Sequence, residues 1–229
     1  MTAATTEHRK YQAQEIENRA LVGSVELRQT DQGQPEVFGY ALKWGAKYRF
    51  AWFTEEIQRG ALDEADTSDV RILFNHNQDL VIGRTKSGTA QIGFDEVGMW
   101  YRSSIPDSPT GQNLMESLKR GDVDQSSWAF SIARDETGRS IGDKWIIEEG
   151  KEHRIITRVA TVYDASPVTY PANPDTSAAK RSLDEFRNSN KEISEEVSMQ
   201  DKGLAETYDK LTRTLDLKAE IYKQRKHND

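Results

Sequence analysis

Alternating large and small residues predict short strands in the middle of the chain. The clearest run is Gln125–Ile132. Its two faces differ in size, with the large residues Trp128, Phe130 and Ile132 on one and the small residues Ser127, Ala129 and Ser131 on the other. Alternation with a period of two residues is typical of a half-buried strand. We expect the small face to leave room for another backbone to lie against it.

Six further segments have strand-like composition. They are Ser24–Arg28, Val37–Lys43, Arg71–Asn75, Gly98–Ile105, Lys144–Glu148 and Ile155–Tyr163. The stretches between them contain glycine beside Asp, Gln, Ser or Thr, which is a turn signal. Several short strands at this spacing favour a barrel or a sandwich.

One helix is well delimited within this β-rich region. Ser108 is a suitable N-cap, Pro109 suits the first helical turn, and Gly121 is a stop signal. A second, short helix is expected over Thr54–Ala65. The predicted fold class is therefore β-rich (α+β), with helices inserted between strands.

Composition divides the chain into four zones. Residues 1–20 are polar and are expected to be loose or a short helix, residues 21–178 form the folded domain, and residues 179–203 form a polar linker. In residues 204–229, apolar side chains recur at helical spacing: Leu204, Tyr208, Leu211, Leu215 and Tyr222. This amphipathic helix cannot bury its apolar stripe alone. It docks on its own domain, self-associates into a homo-oligomer or binds a partner helix, and the long linker favours the last two.

Composition and charge narrow the classes of function. No apolar run approaches the roughly 20 residues that span a bilayer, and the first residues lack the apolar stretch of a secretory signal, so we expect no membrane partner. The net charge is −7 and no basic patch stands out, which argues against a direct nucleic-acid partner. The absence of cysteine excludes disulfides and fits a cytoplasmic setting.

A serine hydroxyl becomes a nucleophile when a neighbouring base takes its proton. Of the four histidines, His8 and His227 lie in terminal segments, which leaves His76 and His153. His76 ends an apolar run, where an imidazole would be half-buried at the end of a strand. The alternative is a histidine that only bonds the backbone of its own turn.

The third member of such a site is a carboxylate that orients the imidazole. Asp164 ends the run that begins at Ile155 and precedes a corner containing Pro167 and Pro171. The alternative is an aspartate that caps this corner through backbone amides. Taken singly, none of these positions identifies a catalytic site. We expect no metal and no cofactor, because the acidic residues show no convincing metal-ligand spacing.

Several segments, in this order, resemble one known family. They are Phe74-Asn75-His76-Asn77, Ile82-Gly83-Arg84, Asp95-Glu96-Val97-Gly98-Met99, Ile105-Pro106-Asp107-Ser108, Arg120 to Phe130, and Asp164-Ala165-Ser166-Pro167-Val168-Thr169-Tyr170-Pro171-Ala172. Together they are similar to the prohead maturation proteases of tailed bacteriophages, over about residues 36–176. The family usually has Phe-Gly after its serine, and this chain has Trp128-Ala129.

The resemblance implies an antiparallel β-barrel like that of herpesvirus assemblin, and a serine endopeptidase with Ser127 as nucleophile, His76 as base and Asp164 as acid. His153 is a rival for the third position, because related viral enzymes use a second histidine there. The implied substrates are the phage major capsid protein, scaffold (delta-domain) polypeptides and the protease itself. The implied location is the assembling procapsid in the host cell cytoplasm.

The sequence leaves open which of two adjacent serines is the nucleophile, which groups stabilise an oxyanion, and whether the domain is a protease at all. If the face with Trp128 packs on the core, Ser126 points into the core and is hydrogen-bonded locally, which favours Ser127 as the nucleophile. Arg84 and the Gly83 amide are candidates for stabilising an oxyanion, and Arg84 is equally suited to a structural ion pair. Two other functions compete with proteolysis: a catalytically silent scaffolding module of the procapsid, and an unrelated β-barrel that binds a ligand.

Overall fold

The structure is a computed structural model that describes residues 15–21, 25–170, 179–192 and 207. Its elements, in chain order, are β1 (Glu17–Leu21), β2 (Val25–Gln29), β3 (Pro35–Lys43), β4 (Lys47–Arg49), β5 (Phe53–Ile57), β6 (Arg71–Phe74), β7 (Asn77–Arg84), β8 (Ala90–Phe94), β9 (Gly98–Ser104), α1 (Pro109–Arg120), β10 (Gln125–Ile132), β11 (Asp143–Glu148), β12 (Lys151–Ile156) and β13 (Val159–Val168). The predicted β-rich class is confirmed. None of the helical segments in the described ranges has both the length and the apolar character needed to cross a bilayer.

The strands form three sheets. Sheet A has the order β1-β10-β13-β6-β7, sheet B the order β2-β3-β9-β8, and sheet C the order β11-β12-β5-β4. The predicted closed antiparallel barrel is wrong for the described residues, because each sheet keeps two edge strands. Two pairings, β5 with β12 and β6 with β13, are also parallel. Strand spacing along a sequence indicates how many strands there are, but not which edges meet.

The main core lies between sheets A and B, with β10 at its centre. Trp128 and Phe130 stack with ring centroids 4.1 Å apart, and both are completely buried. Residues 126–132 are in fact buried on both faces, so the predicted half-buried strand is wrong. Sheets A and B approach closely at Gly83, where a Cβ would lie 2.1 Å from Ser103 Oγ, which explains the glycine in β7.

Helix α1 has the boundaries that its sequence predicts. The Ser108 side chain accepts a hydrogen bond from the Gly111 amide, and Pro109 is the first helical residue. Gly121 ends the helix at a φ of 75°, in the left-handed region that glycine occupies without a steric cost.

The predicted helix over Thr54–Ala65 is wrong, because its first residues form strand β5. Phe53, Glu55 and Ile57 alternate with less buried neighbours, a period of two that a long charged segment obscures. The segment predicted as one strand over Ile155–Tyr163 belongs to two strands, β12 and β13. The other predicted strands, β2, β3, β6, β9, β10 and β11, are present within a few residues of their predicted limits.

The predicted zones differ from the structure at two places. Strand β1 lies within the segment predicted as a polar N-terminus, and it pairs with β10 from Glu17 to Leu21. Residues 179–192, predicted as part of a linker, are helical. Ala179, Leu183 and Phe186 recur there at helical spacing, a short apolar stripe that the many charged residues conceal.

The predicted amphipathic helix over 204–229 lies outside the described residues, apart from Thr207. Contacts divide the chain into two compact units, residues 1–181 and 182–229.

A buried network of five charged side chains joins β1 to sheet C. Arg19 bonds Glu17 at 2.7 Å and also bonds both carboxylate oxygens of Glu55. Arg154 bonds Glu17 at 2.7 Å, Glu55 at 2.9 Å and Asp143 at 2.7 Å. Burial would raise the pKa of Glu17, but the charges of Arg154 and Arg19 outweigh this effect and lower it to about 2. The network therefore ties β1, which pairs with β10, to sheet C through buried ion pairs.

Replacing Glu17 by Gln should destabilise the protein substantially, because Arg19 and Arg154 then lose a charged partner in a buried site. Breaking a buried ion pair from one side typically costs about 3–5 kcal/mol. The matched control is Glu26→Gln, which removes an exposed ion pair with Arg28 and should cost about 0–1 kcal/mol. Urea unfolding at pH 7 measures both, and equal stability of the two variants would contradict the role of the network.

The same experiment at lower pH checks the cause. Because the folded pKa of Glu17 is lowered, its stabilising charge is fully present above the ordinary value of 4.5 and is lost as the pH falls towards 2. The difference in unfolding free energy between wild type and Glu17→Gln should therefore shrink over that range. A difference that stays constant with pH would indicate a packing effect instead.

Candidate active site

His76 lies in a two-residue turn between β6 and β7. Phe74 pairs with Asn77 across the hairpin, so Asn75 and His76 form the loop. Their φ values are 58° and 56°, and two left-handed residues in succession are the pattern of a type I′ turn. Asparagine and histidine are among the non-glycine residues that adopt this conformation most readily.

The tip of this hairpin is attached to the end of β13. The Asn75 side-chain oxygen accepts hydrogen bonds from the Thr169 amide at 2.9 Å and the Thr169 hydroxyl at 3.2 Å. The backbone N–H of Asn75 donates to the backbone carbonyl of Pro167 at 3.0 Å. These bonds hold the loop over sheet A, and with it the imidazole of His76.

The serine and the aspartate lie on neighbouring strands of sheet A. In the register between β10 and β13, Ser127 pairs with Ser166 and Ala129 pairs with Asp164. Because alternate residues of a strand share a face, all four side chains lie on the same side of the sheet. The small residues Ser127, Ala129 and Ser166 leave space on this face for an imidazole.

The His76 ring contacts both the serine and the aspartate. Its Nε2 is 2.6 Å from Ser127 Oγ, and its Nδ1 is 2.7 Å from Asp164 Oδ1. An ionised carboxylate only accepts hydrogen bonds, so Nδ1–H donates to Asp164 and Nε2 is left to accept from the serine hydroxyl. The structure thus brings together the three residues that the sequence analysis selected.

The side chains of these three residues are largely buried. Ser127 is completely buried, and the side chains of His76 and Asp164 are 21% and 11% exposed. The Ser166 hydroxyl donates to Asp164 Oδ1 at 2.6 Å. The carboxylate therefore accepts two hydrogen bonds, one from the imidazole and one from a buried hydroxyl.

Ser166 and Asn75 are the site residues that the sequence analysis missed. Ser166 follows Asp164 by two residues, and that spacing in a strand could have placed both on one face. The asparagine before His76, between two strand-like runs, is a turn signal that could have indicated a left-handed loop.

The adjacent Ser126 faces away from this group. Its hydroxyl lies 2.8 Å from the Tyr101 hydroxyl in the buried core between the sheets. The prediction that Ser126 points into the core is confirmed, although its partner belongs to β9 and is not local.

His153 and Arg84, two other candidates, are bonded elsewhere. The Nδ1 of His153, on β12 of sheet C, lies 2.6 Å from Thr54 Oγ1. Arg84 donates from Nε and Nη2 to the two carboxylate oxygens of Asp69, at 2.6 and 2.7 Å. This hydrogen bonding lowers the pKa of Asp69 to about 2. Arg84 is therefore engaged in a structural ion pair.

A metal site is not indicated by the geometry of the described ranges. Within them, no three side chains of His, Cys, Asp or Glu lie close enough together to hold a metal ion. Ser127, His76 and Asp164 form a hydrogen-bonded chain of hydroxyl, imidazole and carboxylate. This arrangement can activate a hydroxyl for nucleophilic attack.

Comparisons with known proteins gave one family match and one structural similarity. The family model of the caudovirus prohead serine protease matches residues 23–191, well over half of the chain. Among solved structures, the capsid assembly protease of bacteriophage T4 is similar at 10% identity and a TM-score of 0.39, over 67% of this chain and 98% of the T4 chain. No curated protein gave a match. On the family match, the chain belongs to the caudovirus prohead serine proteases and is itself a serine protease.

Proposed function

We propose that the chain is an endopeptidase in which Ser127 is the nucleophile, His76 the general base and Asp164 the orienting acid. The observation that carries this proposal is the position of the His76 ring, with one nitrogen at 2.6 Å from the serine oxygen and the other at 2.7 Å from the carboxylate. Both distances lie within hydrogen-bond reach, as a nucleophile and its base require.

The reaction follows from the direction of these hydrogen bonds. Ser127 Oγ attacks the carbonyl carbon of a peptide bond while its proton passes to Nε2 of His76. The imidazolium gives that proton to the departing amine, which leaves an acyl ester on Ser127. Water, deprotonated by His76, then releases the acyl group as a carboxylic acid and restores the serine hydroxyl. Asp164 stabilises the imidazolium in both steps.

Two further contacts support the assigned roles. The Ser166 hydroxyl holds Asp164 Oδ1 in place, so the carboxylate is not free to turn away from Nδ1. The bonds of Asn75 to Thr169 hold the turn that carries His76. A preorganised set of this kind needs little rearrangement when charge develops on the imidazole.

The family to which the chain belongs acts in phage proheads, and we infer the substrates from that membership. They are the major capsid protein and the scaffold polypeptides inside the assembling procapsid in the host cytoplasm, together with the protease chain itself. A relationship to herpesvirus assemblin, without a closed barrel, is part of the same proposal. So is association of the protease with other copies through residues 204–229.

Replacing Ser127 by Ala should abolish cleavage. Loss of a nucleophile of this type commonly lowers the rate by about 10⁴-fold or more. Mass spectrometry of the purified chains should find fragments of the wild type and only intact Ser127→Ala. Ser126→Ala is the matched control, because it removes the neighbouring hydroxyl bonded to Tyr101, and it should still be cleaved. Fragments that persist in Ser127→Ala at the wild-type rate would refute the assignment.

Replacing Asp164 by Asn should lower kcat by about 10³–10⁴-fold, because an amide no longer orients the imidazole in the required tautomer. His153→Gln should stay within about tenfold of wild type, since its ring bonds Thr54 on another sheet. Hydrolysis of denatured casein, normalised to folded protein by circular dichroism, measures both variants. If His153→Gln lost as much activity as Asp164→Asn, the acid would have to be reassigned.

A further inference from the structure

A cavity of about 510 Å³ adjoins the proposed active site on the face of sheet A that carries Ser127 and Asp164. All five strands or their ends contribute to its wall, through Ile16, Asn18, Arg71, Leu73, His76, Gln78, Val81, Ala129, Tyr163 and Asp164. It thus contains the proposed base and acid and extends across the sheet from β1 to β7. A cleft of this extent is in the size range of ligand-binding sites and has room for part of a substrate chain.

The strand register places the floor of this cavity. Asn18, Ala129, Asp164 and Arg71 face one another in sequence across β1, β10, β13 and β6. The methyl group of Ala129 is the smallest side chain in this row, so the row is lowest there. Ser127 lies in the next row on the same face, two residues along β10.

This spacing relates the cavity to the bond that would be cut. Two residues of a strand span about 7 Å, and an extended substrate has nearly the same rise per residue. A side chain resting on Ala129 therefore belongs to a residue within about two positions of the carbonyl that Ser127 attacks.

The charges in the cavity already have partners. The two terminal nitrogens of Arg71 donate to the backbone and the carboxylate of Asp69. Asp164 accepts from His76 and from Ser166. A charged substrate side chain would have to compete with these contacts, and it would also meet a group of its own sign. A neutral side chain avoids both costs.

Aliphatic side chains surround the row that contains Asp164 and Arg71. Leu73 and Val81 pair with each other across β6 and β7, and Ile16 lies on the opposite side of the cavity. Val81 and Ile16 are 46% and 52% exposed, so their apolar surface is available to a bound molecule. Burial of such surface against an apolar side chain is favourable.

Asn18 supplies a polar group at the β1 end of the cavity floor. Its side-chain oxygen is buried and has no hydrogen-bond partner in the described part of the chain. A buried acceptor without a partner is unusual, and the N–H of a bound peptide would provide one. Both Ile16 and Asn18 precede residue 23, where the match to the family begins, so this wall of the cavity is outside the matched region.

We propose that this cavity is a substrate subsite that accepts an aliphatic side chain within two residues of the scissile bond. The inference rests on the proposed function, because it uses Ser127 as the point of attack. Ile16, Leu73 and Val81 select the side chain, and Asn18 binds the substrate backbone.

A peptide library tests this subsite. Peptides from a digested bacterial proteome are incubated with the full-length protein, and mass spectrometry records the sites that are cut by wild type but not by Ser127→Ala. The wild-type sites should be enriched in Val, Ile, Leu or Met at one position within two residues of the cut. Val81→Lys and Ile16→Lys should each reduce cleavage of those peptides at least tenfold.

The matched control is Val97→Lys, since Val97 is 45% exposed and lies on a turn outside the cavity. It should leave the cleavage profile unchanged. Ser127-dependent cleavage without an aliphatic preference, or with a preference that survives in Val81→Lys and Ile16→Lys, overturns the subsite alone. A library without any Ser127-dependent cleavage overturns the proposed function and the subsite with it.

Discussion

The hydrogen bonds of one imidazole ring, to Ser127 and to Asp164, are the contacts on which the site depends. They require a turn and two strands to meet within a few tenths of an ångström. The turn meets this demand through two successive left-handed residues and through Asn75, which attaches it to the chain beyond β13. The strands meet it through backbone pairing, which places Asp164 two residues from Ser166, the partner of Ser127.

Strand β10, which carries the proposed nucleophile, is held from its other side as well. β1 pairs with β10, and its charged residues Glu17 and Arg19 reach into a buried network with sheet C. Side chains alternate along β1, so its two faces have different roles. Glu17 and Arg19 on one face form the buried ion pairs, and Asn18 on the other face lines the cavity beside the proposed triad. A short N-terminal strand thus contributes both to stability and to the substrate-binding surface that we propose.

The sequence analysis predicted local features well and long-range features poorly. The cap at Ser108, the stop at Gly121 and the β10 strand depend on neighbouring residues, and the structure contains all three. The helix over Thr54–Ala65 and the closed barrel were wrong because they depend on partners far along the chain. Glu55, for example, is a buried strand residue whose carboxylate bonds Arg19 and Arg154, both far from it along the chain. Ser127, His76 and Asp164 were selected by residue type, strand position and family resemblance, whereas Ser166 and Asn75 became evident only from the contacts.

Labelling with a fluorophosphonate measures the activated hydroxyl most directly, because this reagent phosphonylates serines whose proton is taken by a neighbouring base. Peptide mapping of the labelled protein should find one adduct, on Ser127, and His76→Ala should lose it. No adduct, an adduct on another serine, or labelling of Ser127 at the same rate in His76→Ala would contradict activation of this hydroxyl by the imidazole.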